Sequence, residues 1–200
     1  MGSTDGGKRS LGPRTVLYPT PVLVVGTYDE ADRPNIMTVA WGGVVCSVPP
    51  CISVSVRQKA RHTYAGLTQR KAFTVSIPSV DQVAEADFVG MVSGAKVDKF
   101  AATGLTAVAS DVVDAPYVAE FPLVLECRVI EEIDLGSHHL FVGEILDVKV
   151  DDAIVDERGK VDGSRLRPLS YGCEEGLYYE LGAVVGKAFD VGRRFKGAEE

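Results

Sequence analysis

The sequence predicts a mainly β domain with short helical insertions, on three observations. Apolar residues repeat with a period of two in several segments bounded by Gly, Pro or Asp, and this is the period of a strand. Segments with a helical period are fewer and shorter. A many-stranded sheet must also protect its edges, and closure removes them. We therefore expect a β-barrel.

Five segments carry the strand pattern. Val22–Tyr28 is a short apolar run between Pro21 and a polar turn, which is typical of a strand buried on both faces. Gly136, in the stretch before the last strand, favours a hairpin between the last two strands. The other predicted strands are Cys51–Arg57, Ala72–Ile77, Pro122–Ile133 and Leu140–Val150.

Three helices are predicted between the strands. Arg61–Arg70 is a short one. Ser79–Ser93 opens with Ser79 and Gln82 at the spacing of a capping box, and Val97–Thr103 is followed by Gly104 at a C-cap position. The apolar stripe that we predict for the second helix consists of Ala84, Phe88, Met91 and Val92.

Composition limits the class of protein. The chain has 200 residues and a net charge of −7, which argues against general affinity for nucleic acid because phosphate binding needs a basic surface. No run approaches the roughly 18–20 apolar residues of a membrane helix, and the first ten residues lack the apolar core of a signal peptide. We expect residues 1–14 to be a disordered arm, residues 15–195 a single domain, and the protein to be cytoplasmic with no membrane contact.

Common enzyme signatures are absent. The sequence has no GxGxxG that opens a βαβ unit, no Walker-type GK[ST], no HExxH and no GxSxG. Its three histidines are too few and too scattered for a zinc site, so no metal is expected. This pattern points towards chemistry supplied by a bound cofactor.

The four cysteines show no CxxC pair and no metal-ligand spacing. Cys127 alternates with apolar residues in a predicted strand, which indicates a core position. Cys46 and Cys51 flank Pro49–Pro50. Free thiols are the expected state in a reducing cytoplasm, and a redox pair is the alternative.

The segment Asn35–Trp41 mixes polar groups with Met37, Ala40 and the only Trp of the chain. It is either a barrel strand with Trp41 in the core or the wall of a ligand site. In a ligand wall, small residues let the backbone approach a flat ring and offer it directed hydrogen bonds.

A second unusual segment is Ser53–Arg57, which continues through Lys59, Arg61 and Thr63. The serines and Arg57 share one strand face, and the strand runs into the start of a helix. Helix N-termini and Arg side chains both favour phosphate. The alternative is a solvated basic turn. In an acidic chain, one such patch suits a single phosphate better than a polyanion.

The chain resembles the flavin-reductase-like, FMN-binding split-barrel family, and within it the flavoredoxins. The resemblance runs in order from about Tyr18 to Phe189. It is carried by Tyr18–Pro21, Asn35–Gly42, Ser47–Pro50 with the strand ending at Arg57, Ala72–Pro78, Val97–Phe100 with Gly104–Leu105, Ala115–Tyr117, Gly136–His138 with Phe141–Glu144, and Gly182 with Gly186–Phe189.

The resemblance implies an FMN-binding split β-barrel with short helical insertions, which forms a homodimer and holds FMN non-covalently near the subunit interface. Arg57 and Thr63 would hold the phosphate, and Lys99 would contact the phosphate or the ring. The cofactor-binding residues that it implies are Asn35, Met37, Thr38, Val39, Ala40, Trp41, Ser53, Arg57, Thr63, Ser93 and Lys99.

His138 matches the family's histidine after the glycine turn, near the exposed edge of the flavin, and is the candidate catalytic residue. It would orient an electron donor or balance charge on the reduced ring. An acidic residue often stands in the family where this chain has Ser137, so an acid partner for His138 is not expected. His139 is expected to be structural.

Two uses of the flavin fit this resemblance. In one, the protein carries electrons between FMN and another redox protein. In the other, it is an NAD(P)H-dependent flavin reductase that supplies reduced FMN. The likeness to flavoredoxins favours the carrier. A third possibility is a barrel that has lost its flavin and serves as a binding module.

Overall fold

The computed structural model describes residues 7–57 and 62–196. Residues 1–6 of the predicted arm, and the basic residues Lys59 and Arg61 of the predicted phosphate patch, lie outside the described residues. Residues 7–14 contain no helix or strand and are exposed.

The described residues form twelve strands and four α-helices. The strands are β1 (Thr20–Pro21), β2 (Leu23–Tyr28), β3 (Pro34–Val39), β4 (Gly42–Ser47), β5 (Pro50–Arg57), β6 (Ala72–Ile77), β7 (Ala107–Ala109), β8 (Pro116–Val118), β9 (Leu123–Asp134), β10 (His138–Val150), β11 (Leu169–Gly172) and β12 (Leu177–Glu180). The helices are α1 (His62–Arg70), α2 (Val83–Met91), α3 (Lys99–Thr103) and α4 (Gly163–Leu166). The predicted mainly β class is confirmed.

Seven strands form the main sheet, in the order β3-β2-β6-β9-β10-β5-β4, with antiparallel neighbours. The two edge strands, β3 and β4, are separated in sequence only by Ala40 and Trp41. So short a link can join opposite edges only if the sheet curls round to bring them together. The sheet is therefore a barrel, with its seam at the Ala40–Trp41 bend.

The seam is tightly packed. The backbone N–H of Ser55 in β5 donates to the carbonyl of Trp41 at 2.8 Å. At Gly42 a β-carbon would lie 2.5 Å from the carbonyl oxygen of Ser53 and 2.8 Å from a methyl of Leu23. Any side chain at this position would collide with β5 and with Leu23 of β2, so the packing at the seam requires glycine here.

Two apolar clusters lie on either side of the sheet. One fills the barrel and includes Phe73, Phe141 and Cys127. The other lies outside, where α2 and α3 pack on β3. Strand β2 contributes Leu23 and Val25 to the first cluster and Val24 to the second, which also contains Val22 just before the strand. This confirms the predicted burial on both faces.

The structure differs from the prediction at the second helix. Its capping box at Ser79 and Gln82 is confirmed, but those residues belong to a 3-10 turn at Val80–Gln82 that precedes α2. The predicted apolar stripe is wrong at Ala84 and Met91, which are exposed; Phe88 packs against the outer cluster, and the fully buried residues of α2 are Ala86 and Val89.

No helix in residues 7–57 and 62–196 has the length and apolar character needed to cross a bilayer.

Candidate flavin site

A cavity of about 240 Å³ opens at the barrel seam. Its wall is built from the end of β3, the bend that follows it, the last residues of β5 and the first residue of β10. The lining residues are Met37, Thr38, Val39, Ala40, Trp41, Ser55, Arg57 and His138. Seven of these were predicted as site residues from the sequence, so the structure brings Met37–Trp41, Arg57 and His138 into one cavity.

Trp41 and His138 face each other in this cavity. Their ring centroids are 4.9 Å apart, with the planes tilted by 37°. Trp41 is 40% exposed, so the alternative that placed it in the core is wrong. The Oγ of Ser137 lies 2.9 Å from Nδ1 of His138, so a hydroxyl group stands beside the imidazole.

Arg57 lies beside His138 because the two residues are directly paired between β5 and β10. The hairpin that starts β10 fixes this register: Gly136 has a φ of 92°, and the N–H of Leu135 donates to the carbonyl of His138 at 2.9 Å. Burial, and then the positive charge of Arg57, lower the pKa of His138. His138 is therefore neutral at pH 7.

A second cavity, of about 250 Å³, lies at the other end of β3. Asn35, two residues before Met37, is in its wall, and the start of α1 contributes His62. The rest of the wall includes the turn that precedes α3. The lining residues are Asp29, Arg33, Pro34, Asn35, His62, Gly94, Ala95, Lys96, Val97, Asp98 and Lys99.

Asn35 is the buried polar group of this second cavity. Its Nδ2 donates to Oγ1 of Thr63 at 2.8 Å, and its Oδ1 has no hydrogen-bond partner among the described residues. The backbone at Gly94 lies so close that a β-carbon there would come within 2.0 Å of this oxygen. The amide is therefore held against the cavity with unused hydrogen-bonding capacity, which a bound ligand can satisfy.

His62 is oriented by a buried carboxylate. Its Nε2 lies 3.3 Å from Oδ2 of Asp29, and Asp29 also accepts hydrogen bonds from the backbone of Ala31 and from the backbone and guanidinium of Arg33. Burial alone would raise the pKa of Asp29, but the bonds from Arg33 and Ala31 outweigh it and lower the pKa to about 2. Asp29 is thus ionised at neutral pH and fixes the imidazole ring.

Three further predicted residues do not line the first cavity, although Lys99 is part of the wall of the second. The ammonium of Lys99 is buried and donates to the carbonyls of Ile36 and Val89, each at 2.7 Å. The Oγ of Ser53 donates to Gly43 at 3.4 Å, beside an apolar cavity that adjoins the seam. The Oγ of Ser93 accepts from the N–H of Ala95 in the turn next to the second cavity. Contacts of these three residues with a cofactor stay predictions.

Ser55 in the first cavity and several residues of the second, including His62, were missing from the predicted set. Ser55 is two residues from Arg57 and shares its strand face, so the period-two pattern could have identified it. His62 carried a weaker signal, since its role depends on Asp29, which is 33 positions away in the sequence.

Comparison with known proteins agrees with this geometry. Residues 15–174 match the family described as flavin reductase like domain. The chain belongs to the flavin reductase-like family. A curated relative, an uncharacterized protein of Archaeoglobus fulgidus, is 33% identical over 158 residues, which is 78% of this chain and 86% of the relative.

Solved structures of flavin reductase-like proteins superimpose on the chain. Flavoredoxin of Desulfovibrio vulgaris (Miyazaki F) is 49% identical, with a TM-score of 0.88 over 92% of this chain and 99% of that one. An FMN-binding protein from Thermus thermophilus is 26% identical, with a TM-score of 0.75 over 90% and 98% of the two chains. The predicted split-barrel fold and the resemblance to flavoredoxin are confirmed. Within the flavin reductase-like family, the chain is similar to flavoredoxin.

Proposed function

We propose that this protein binds FMN non-covalently at the barrel seam and carries electrons to or from another redox protein. The observation that carries the proposal is the cavity that unites Met37–Trp41, Arg57 and His138. The name of the flavoredoxin supports a bound flavin, and the name of the Thermus FMN-binding protein supports FMN as that flavin. When bound, the isoalloxazine ring would supply the electron-accepting chemistry, so that no side chain need act as a nucleophile.

The two cavities suit different parts of FMN. The first has a backbone wall with small side chains at Thr38 and Ala40, and aromatic rings at Trp41 and His138, which suits a flat ring. The second has the unused Oδ1 of Asn35, which can accept a hydrogen bond from a hydroxyl of the ribityl chain. Strand β3 connects them, since Asn35 and Met37 are only about 7 Å apart along an extended chain.

Each functional side chain then has a defined task. Arg57 is the exposed cation of the first cavity and is our proposed ligand for the phosphate dianion. His138, neutral at pH 7, can donate or accept a hydrogen bond at the edge of the ring and can take up a proton as negative charge develops there. Trp41 covers one side of the cavity and limits access of water.

A homodimer is also part of the proposal. The described residues after β12 expose a row of apolar side chains, of which Val184 is 91% exposed, Val185 100% and Phe189 98%. Apolar patches of this kind mark interaction surfaces, and the family resemblance points to a second copy. We further propose a cytoplasmic location, where the free cysteines would stay reduced.

The alternative is an NAD(P)H-dependent flavin reductase, which the family description favours. Steady-state oxidation of NADH and NADPH with added FMN separates the two functions. A carrier should bind FMN, become reduced by a chemical reductant and oxidise either nucleotide only slowly. Rapid multiple turnovers would reject the carrier in favour of the reductase. Failure of the apoprotein to take up FMN would reject both and leave the flavin-free binding module.

A further inference from the structure

The hairpin of β4 and β5 places two thiols directly opposite each other. Cys46 and Cys51 are paired residues of this antiparallel ladder, and both are free. Directly opposed side chains share one sheet face with β-carbons roughly 4.5–5.5 Å apart, close to the roughly 3.5–4.5 Å that a disulfide spans. The fold therefore holds the two sulfur atoms within reach of a crosslink.

The two thiols differ in their access to solvent. Cys46 is exposed, whereas Cys51 is only 3% exposed. Burial, and then the proximity of Cys46 and of Glu144 in β10, raise the pKa of Cys51. A disulfide in solution therefore reacts first with the exposed Cys46, and the residue paired with Cys51 on the neighbouring strand is Cys46.

We propose that Cys46 and Cys51 form a thiol–disulfide exchange site for small aliphatic disulfides such as oxidised glutathione. The Cys46 thiolate attacks one sulfur of the small disulfide, whose S–S bond breaks and releases one thiol, leaving a mixed disulfide on Cys46. The Cys51 thiolate then attacks the Sγ of Cys46 and releases the second thiol. Two protein thiols are oxidised, one small disulfide is reduced to two thiols, and the two protons of the protein thiols pass to the released thiolates.

The other two cysteines lack this arrangement. Cys127 is fully buried in the barrel, and burial raises its pKa to about 12, so that it is unreactive at neutral pH. Cys173 is half-buried, with its Sγ directed at the carbonyls of Thr15 and Leu17 at 3.6 Å. They serve as internal controls. The site requires no flavin, so its test is independent of the proposed electron carrier.

The test treats the full-length reduced protein with oxidised glutathione and follows intact mass, with peptide mapping and maleimide counting of thiols. Wild-type protein should lose two hydrogen atoms without a lasting adduct, and its reactive thiols after denaturation should fall from four to two. Cys51→Ser should stop at a stable glutathione adduct on Cys46. Cys46→Ser should give neither product, and Cys173→Ser should behave as wild type.

Three results would overturn the proposal: no reaction of the wild type, a glutathione adduct on Cys46 that never resolves, or loss of the two hydrogen atoms in Cys46→Ser. If Cys51→Ser fails to fold, as judged by far-ultraviolet circular dichroism, Cys51→Ala replaces it. The wild-type peptide map decides in either case, because a Cys46–Cys51 linkage must appear in it.

Discussion

The indole of Trp41 lies 4.9 Å from the imidazole of His138, across the seam where the two edge strands of the barrel meet. Since this is the only tryptophan of the chain, its fluorescence reports on one wall of the candidate flavin site. Its partner His138 has a lowered pKa, caused by burial and by the charge of Arg57. The pair links the protonation of His138 to a signal that can be measured.

We predict that the fluorescence of Trp41 in the flavin-free protein changes with pH around a midpoint below 6.5, the ordinary pKa of histidine. An imidazolium in contact with indole quenches its emission, so the signal should fall as the pH falls. His138→Ala should abolish this step, and Arg57→Gln should move it to higher pH by removing the nearby charge. His62→Ala is the matched control and should leave it unchanged. A midpoint at or above 6.5 would contradict the assignment.

Arg57 can be tested by comparing FMN with riboflavin, which has the same ring and no phosphate. If Arg57 holds the phosphate, Arg57→Gln should weaken FMN binding about tenfold to a hundredfold, the range for a hydrogen bond to a charged group, and leave riboflavin binding unchanged. Isothermal titration calorimetry of the apoprotein measures both. Arg158→Gln, outside both cavities, is the control. Equal losses for the two ligands would place Arg57 at the ring instead.

Gly94 tests the second cavity. In Gly94→Ala the new methyl would lie 2.0 Å from Oδ1 of Asn35 and 3.0 Å from the ring of His62, so both side chains must shift. Overpacking of this kind costs about 1–3 kcal/mol, and we expect at least part of it as a loss of FMN affinity of about tenfold. Gly163→Ala is the control, because nothing lies within 4 Å of a β-carbon there. Unchanged FMN affinity in Gly94→Ala would remove Asn35 and His62 from the site.

The sequence allowed the strands and most of the first cavity to be predicted, for a physical reason. Period-two patterns are local, and the run Met37–Trp41 stays together because it is contiguous. The position of Lys99 could not be predicted in the same way. Its buried ammonium donates to the carbonyls of Ile36 in β3 and Val89 in α2, and contacts between different elements leave no local sequence pattern.

The error in α2 has a similar origin. The helix packs on β3 so closely that a β-carbon at Gly90 would lie 3.1 Å from Cβ of Thr38, and the hydroxyl of Thr38 donates to the carbonyl of Ala86. Small residues therefore face the sheet, while the large Met91 points outward. A helical periodicity that weights each residue by its hydrophobicity favours large residues such as Met91, and so it assigns the buried face of α2 incorrectly.

The last prediction concerns Asp29, which fixes His62 and has a pKa of about 2 in the folded protein. Its unfolded value is near 3.9, so the folded state binds this proton less readily. The resulting stability is fully present above about pH 4 and is lost as the pH falls through about 2. We expect a contribution of about 1–2 kcal/mol, since Arg33 is largely exposed and its charge is screened.

Asp29→Asn should therefore lower the free energy of unfolding by about that amount at pH 7, and the difference from wild type should shrink as the pH falls from 4 towards 2. Urea unfolding at a series of pH values measures it. Asp111→Asn, at an exposed carboxylate, should show no such convergence. If the difference between Asp29→Asn and wild type stayed constant with pH, Asp29 would stabilise the turn through hydrogen bonds that do not depend on its charge.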